Sequence, residues 1–150
     1  MRIAPKSISP DFVKEVLSSH FIKGISKTNI INHKYRTQID GILVGFQTAQ
    51  IDEPLLTARH WNGKQPARIF IDWHSKLPKH IVYKEGSKNI VLTTSETTSH
   101  KEVQYIKVEK TAKSIAEALY QNNINSVLIE GGAKTHQMFI DEGIWDEAII

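Results

Sequence analysis

Four short runs of this chain each hold three consecutive apolar residues between glycine or polar ends: Gly41-Ile42-Leu43-Val44-Gly45, Arg68-Ile69-Phe70-Ile71-Asp72, Asn89-Ile90-Val91-Leu92-Thr93 and Ser126-Val127-Leu128-Ile129-Glu130. A strand with one wet face alternates apolar and polar residues, so uninterrupted runs predict strands covered on both faces. Helical patterns lie between and around them. Ser9-Pro10-Asp11 reads as a helix start, followed by Phe12, Val13, Val16 and Leu17 at helical spacing as far as Gly24. A second helix is expected from about Lys27 to Gln38, with Ile30, Ile31 and Tyr35 on one side. A third runs from Thr111 to Asn122, with Ile115, Ala116, Leu119 and Tyr120 as its apolar stripe. Gly131-Gly132 turns into a last helix, Ala133 to Asp141, stopped by Gly143. Val103 to Val108 alternates more, and Ser95 to His100 reads as a polar surface loop. Strands alternating with helices predict an α/β fold with a mostly parallel central sheet. A length of 150 residues suits one domain with a real core. Ala148-Ile149-Ile150 reads as the start of a further strand.

Composition removes several chemistries. The absence of cysteine excludes disulfides, thiolate metal sites, iron–sulfur clusters and cysteine nucleophiles. Seven histidines are scattered without HExxH or facial-triad spacing, so no metal site is expected, and there is no G-x-S-x-G elbow. Met1 to Lys6 contains no apolar leader and no run approaches membrane-spanning length, which sets the expectation of a cytoplasmic protein away from membranes. The net charge of +3 divides into +7 before Glu130 and −4 from Glu130 onward. A basic body attracts phosphate-bearing molecules, but no arginine-rich or basic–aromatic stretch supports nucleic acid binding.

Three places could carry chemistry. In Val127-Leu128-Ile129-Glu130-Gly131-Gly132-Ala133-Lys134-Thr135 the glycines permit close backbone approach, and the helix start offers N–H groups to a phosphate. Lys134 and Thr135 would add a charge and a hydroxyl there; the alternative is a plain strand-to-helix turn. Glu130, at the carboxyl end of a buried strand, either binds a polar ligand or caps nearby N–H groups. After Gly45, Thr48 and Asp52 are one helical turn apart, followed by Pro54, Leu56 and Arg59. Arg59 either pairs locally with Asp52 or grips a phosphate.

Taken in order, Gly45, Thr48, Asp52-Glu53-Pro54-Leu55-Leu56-Thr57-Ala58-Arg59, Pro66 to Asp72, Glu130-Gly131-Gly132 and Trp145-Asp146-Glu147 resemble the reductase domain of the riboflavin-biosynthesis deaminase-reductase family. The resemblance implies a three-layer, dihydrofolate-reductase-like fold. It implies NADPH-dependent reduction of the ribose of a phosphoribosylamino-pyrimidine, 5-amino-6-(5-phosphoribosylamino)uracil. It assigns Thr48, Asp52 and the Gly131-Gly132-Ala133-Lys134-Thr135 turn to the cofactor. Arg36, Leu56, Arg59 and Glu130 fall to the substrate, and a homodimer is the implied oligomer. Departures accompany it. Trp73 stands where the family has a cofactor-contacting serine, and His20-Phe21-Ile22-Lys23 replaces a tryptophan-containing stretch. The family's first strand, its last strands and the deaminase half have no counterpart, so the fold is expected to be incomplete. Two rival readings follow: a non-catalytic nucleotide-binding or interaction module, and a reductase of another pterin or pyrimidine.

Overall fold

A computed structural model describes residues 2–3, 27–96 and 98–146. Six strands form one sheet in the order β1-β6-β2-β3-β4-β5. They are β1 (Arg2–Ile3), β2 (Gly41–Val44), β3 (Ala67–Ile71), β4 (Asn89–Thr93), β5 (Gln104–Lys107) and β6 (Val127–Gly131). The five from β6 to β5 are parallel, and β1 runs antiparallel to β6. The helices are α1 (Lys27–Thr37), α2 (Phe46–Asp52), α3 (Lys79–Val82), α4 (Ala112–Gln121) and α5 (Ala133–Asp141). The helix expected after Ser9, the His20–Lys23 stretch and the strand expected at Ala148 lie outside the described residues.

The apolar runs are continuous because the sheet is covered twice. Leu43, Ile69, Ile71, Ile90, Leu92 and Ile129 point to one face and meet Ala112, Ile115 and Leu119 of α4 and Phe139 of α5. Ile42, Val44, Phe70 and Val91 point to the other and meet Ala49 of α2 with Ile81 and Val82 of α3. Every residue of β2, β3 and β4 is buried, and each full-sized aliphatic side chain so placed contributes about 1.5–3 kcal/mol. β6 departs from the expected full burial: Leu128 and Glu130 are half-buried, alternating with buried neighbours.

The stripe on α4 also needs correction. Ala112, Ile115 and Leu119 are its buried positions, whereas Tyr120 is 71% exposed. At 100° per residue Tyr120 rotates away from the face that Leu119 closes. Thr111 caps α4 by accepting from the Ser114 N–H at 3.1 Å, and the Glu142 carboxylate accepts from the N–H groups of Ala112 and Lys113. His74 lies in a turn and His80 on α3.

Arg68 ties the layers together from inside. Buried on β3, it donates to the Leu55, Ile81 and Val82 carbonyls and to Asn89 Oδ1. Burial lowers its pKa to about 10, so it stays charged at neutral pH. The bond to Leu55 anchors the segment between α2 and β3, which forms one wall of the site below.

Candidate functional site

The strand numbers run outward from β2 to β5 on one side, and β6 returns to the other side of β2. Loops leaving β2 and β6 therefore diverge, and the crevice at their carboxyl ends is where open α/β sheets bind ligands. The glycine-flanked ends of both strands converge there. Gly45 donates its N–H to the Gly131 carbonyl at 3.2 Å. A Cβ on Gly45 would stand 2.4 Å from Thr135 Oγ1, and one on Gly131 would stand 2.6 Å from Thr48 Cγ2. Gly132 has φ +92° and precedes α5 without any side-chain cap. The first described bond of α5 is His136 N–H to the Gly132 carbonyl, which leaves the N–H groups before it directed outward at the helix start.

A cleft of about 350 Å³ opens at this point, lined by Gly45, Thr48, Trp73, Gly132, Lys134 and Thr135, with Phe46, Gln47, Ile71 and Met138 completing the wall. Of the residues read from the sequence toward a cofactor, Thr48, Gly132, Lys134 and Thr135 line it. Gly131 sets the spacing beneath it and Ala133 is exposed on the first turn of α5. Asp52 sits apart, exposed at the far end of α2, and makes no hydrogen bond or ion pair among the described residues. The local Asp52–Arg59 pair is therefore not formed. The residues suit a dinucleotide: bare backbone at Gly132 for close approach, a cationic Lys134 beside a helix N-terminus for phosphate, and an apolar wall for a ring. Trp73 belongs to that wall. Its carbonyl accepts from the Thr94 N–H and from the Thr93 and Thr94 hydroxyls, which holds its backbone firmly.

A second cavity, of about 230 Å³, is lined by Asn32, His33, Arg36, Pro54, Leu55, Leu56 and Arg59. Arg36, on the last turn of α1, grips Glu130 with two parallel bonds, Nε to Oε1 at 2.7 Å and a terminal nitrogen to Oε2 at 2.5 Å. Its other terminal nitrogen donates to the Thr57 carbonyl at 2.9 Å. A bulge makes this possible. Leu43 pairs with Ile129 but Val44 pairs with Gly131, so Glu130 drops out of the ladder, a device found beside functional sites. Glu130 thus grips Arg36 while staying half-buried, and it is not itself among the residues lining either cavity. Leu56 is buried with φ +49°, a left-handed conformation costly for a leucine, of order 1–3 kcal/mol. The Arg68 bond to Leu55 holds that strain in place. Arg59 is exposed at the mouth, its Nε donating to His60 Nε2 at 3.2 Å.

The sequence reading overlooked His33. It lies three residues before Arg36 on α1, only 5% exposed, and lines the same cavity. Burial, with the Arg36, His60 and Arg59 charges, lowers its pKa to about 4 against a smaller opposing pull from the Thr57 carbonyl. Its i, i+3 spacing to Arg36 was the available signal. No group of three metal-ligating side chains is gathered among the described residues, and no described helix is long and apolar enough to cross a membrane.

Comparison with known proteins decides the family, since the RibD C-terminal domain profile matches residues 11–150. The chain belongs to the RibD C-terminal domain family. It is 30% identical over 129 residues to a 2,5-diamino-6-ribosylamino-4(3H)-pyrimidinone 5′-phosphate reductase of Aquifex aeolicus, spanning 77% of this chain and 57% of that protein. It is 28% identical to the riboflavin biosynthesis protein RibD of Chlamydia muridarum, across 78% of this chain and 36% of that protein. The chain thus spans only about a third to three-fifths of these relatives. Among solved structures, the Thermotoga maritima deaminase and 5-amino-6-(5-phosphoribosylamino)uracil reductase superposes with TM-score 0.68 at 32% identity, covering 79% of this chain and 35% of that one. The riboflavin biosynthesis reductase Rib7 of yeast superposes with TM-score 0.61 at 29% identity, covering 79% and 60%. The mostly parallel α/β architecture is that of RibD reductase domains.

Proposed function

We propose that this chain is a reductase domain that uses NADPH to reduce the ribose of a phosphoribosylamino-pyrimidine to its ribityl form. One observation carries the reading: successive stretches of one segment line the two cavities, residues 45–48 the glycine cleft and residues 54–56 with Arg59 the arginine-bearing cavity. A hydride donor and its acceptor must touch, and here the two cavities are tied twice, by the continuous chain from α2 into its following loop and by the Arg36–Glu130 fork at the end of β6. Consecutive residues do the joining, since Glu130 faces Arg36 while Gly131 and Gly132 shape the cleft.

What the nicotinamide cofactor supplies when bound is the hydride for the ribose carbon. This chain's residues do the rest. Thr48, Gly132 and Thr135 let the cofactor's backbone approach, and Lys134 offers charge to its phosphates. Arg59 at the mouth takes the 5′-phosphate of the substrate. Arg36 and Glu130, held rigid by their fork, present the carboxylate to sugar hydroxyl or pyrimidine N–H groups. Leu56 closes the floor against water.

The test is a titration with NADPH followed through quenching of the tryptophans, Trp73 lying in the cleft, and then a turnover assay reading loss of NADPH absorbance. Two substrates are run, 5-amino-6-(5-phosphoribosylamino)uracil and the diamino-pyrimidinone ribosyl phosphate. Saturable binding weakened by Gly132→Pro, with turnover of either substrate, is expected. A folded chain that binds no NADPH refutes the proposal.

A further inference from the structure

The cavity beside Glu130 contains a buried polar atom with nothing to bond. His33 Nδ1 is sealed from solvent and has no hydrogen-bond partner among the described residues. The imidazole stands edge-on to the His60 ring, with centroids 4.4 Å apart and planes 84° apart. His60 in turn accepts from Arg59. A line of rings thus leads from the buried wall at His33 to the exposed guanidinium at the mouth.

The charges around His33 are lopsided. Its own helix turns Arg36 toward it, and the segment after α2 supplies Arg59, His60 and the Thr57 carbonyl. The nearby acids are engaged elsewhere: Glu130 spends both oxygens on Arg36, and Glu53 faces His80 at 3.5 Å. A cavity of about 230 Å³ with cations on its walls and an unpartnered ring nitrogen suits an oxyanion.

Resting on the reading that this cavity receives the substrate's phosphate, we propose that His33 is a binding residue for that phosphate monoester, and that the anion's arrival brings a proton from solvent onto the imidazole. Burial, reinforced by Arg36, His60 and Arg59, keeps the ring neutral. A dianion beside Arg59 reverses the local field and offsets the burial cost, so the protonated ring becomes the favoured form and a charge-assisted donor. His60 and Arg59 hold the mouth of the same site, and Arg36 remains on Glu130 throughout.

The probe is ribose 5-phosphate. The His33 ring proton, identified in the NMR spectrum by its loss in His33→Gln, is followed against pH with and without the probe. Without it the ring titrates near 4; saturation moves the midpoint toward the ordinary histidine range near 6.5. Relative to His33→Gln, affinity of the unmodified protein then improves about tenfold from roughly pH 7.5 to pH 5.5, which cancels the probe's own titration. Should His33→Gln fail to fold, His33→Asn or sequential assignment of the labelled protein identifies the resonance, and its midpoint decides alone. Binding that is weakened by Arg59→Ala while the His33 midpoint stays still would overturn the role of His33 and leave the phosphate reading intact. No binding of ribose 5-phosphate, or binding indifferent to Arg59→Ala, would overturn both.

Discussion

Gly131→Ala tests whether the ends of β2 and β6 approach as closely as described. The backbone at Gly131 is not left-handed, so an alanine meets no conformational penalty there, and its cost comes from contact alone. The added methyl would stand 2.6 Å from Thr48 Cγ2, 3.1 Å from Thr48 Oγ1 and 3.2 Å from Thr48 Cβ. Threonine is stiff at χ1, and Thr48 is half-buried on α2, so relief requires an unfavourable rotamer or a shift of the helix. Overpacking of this kind costs about 1–3 kcal/mol. In a chain of this length that lowers Tm by roughly 3–10 °C. Thr48→Ser deletes the methyl that clashes, and the remaining contacts are tight but tolerable. The double variant should recover more than half of the loss, a coupling of about 1–2 kcal/mol by urea denaturation of all four proteins. Because Thr48 lines the cleft, Gly131→Ala should also weaken NADPH binding, and the double variant should restore part of it. Additive effects within about 0.5 kcal/mol would refute the geometry.

Other expectations follow from buried polar groups. Arg68→Met leaves three carbonyls and an amide oxygen short of a donor, and should cost about 3–5 kcal/mol in denaturant unfolding; an unchanged midpoint would deny the clamp. Arg36→Met and Glu130→Gln should couple by about 1.5–3 kcal/mol in a double-mutant cycle, since the fork is bidentate and mostly shielded from water. His33, with its pKa near 4 when folded and near 6.5 when unfolded, binds fewer protons in the folded chain between those limits. Stability is therefore complete above about pH 6.5 and falls as pH drops toward 4, by up to about 3 kcal/mol. Urea midpoints measured across that range should lose most of this slope in His33→Gln.

Much of the fold was legible in the chain. The apolar runs at residues 41–45, 68–72, 89–93 and 126–130 all became strands, displaced by at most a residue, because covering a sheet on both faces demands such runs. Tyr120 was misread because a tyrosine beside Leu119 looks apolar in a list, while the helix angle carries it into solvent. In the site, the E-G-G turn and Thr48 were visible as residue types suited to phosphate and cofactor. His33 was not, because its i, i+3 spacing to Arg36 is shared by many surface pairs and gains meaning only once α1 docks on the 54–60 segment. Asp52 shared a helical face with Thr48, yet α2 ends by pointing it away from the cleft.

By itself the sequence determined four of the strands, the longer helices and the chemical inventory. These are local properties, set by side-chain period and by which atoms the residues carry. Which residues meet was decided by tertiary structure alone. Arg36 reaches Glu130 across 94 positions, and Gly45 and Gly131 each approach a threonine from the other segment, because β6 inserts beside β2 and a bulge lifts Glu130 from the ladder. The orphaned nitrogen of His33 exists for the same reason. It is buried by α1 docking against a loop that Arg68 pins, a contact that no window of local sequence contains.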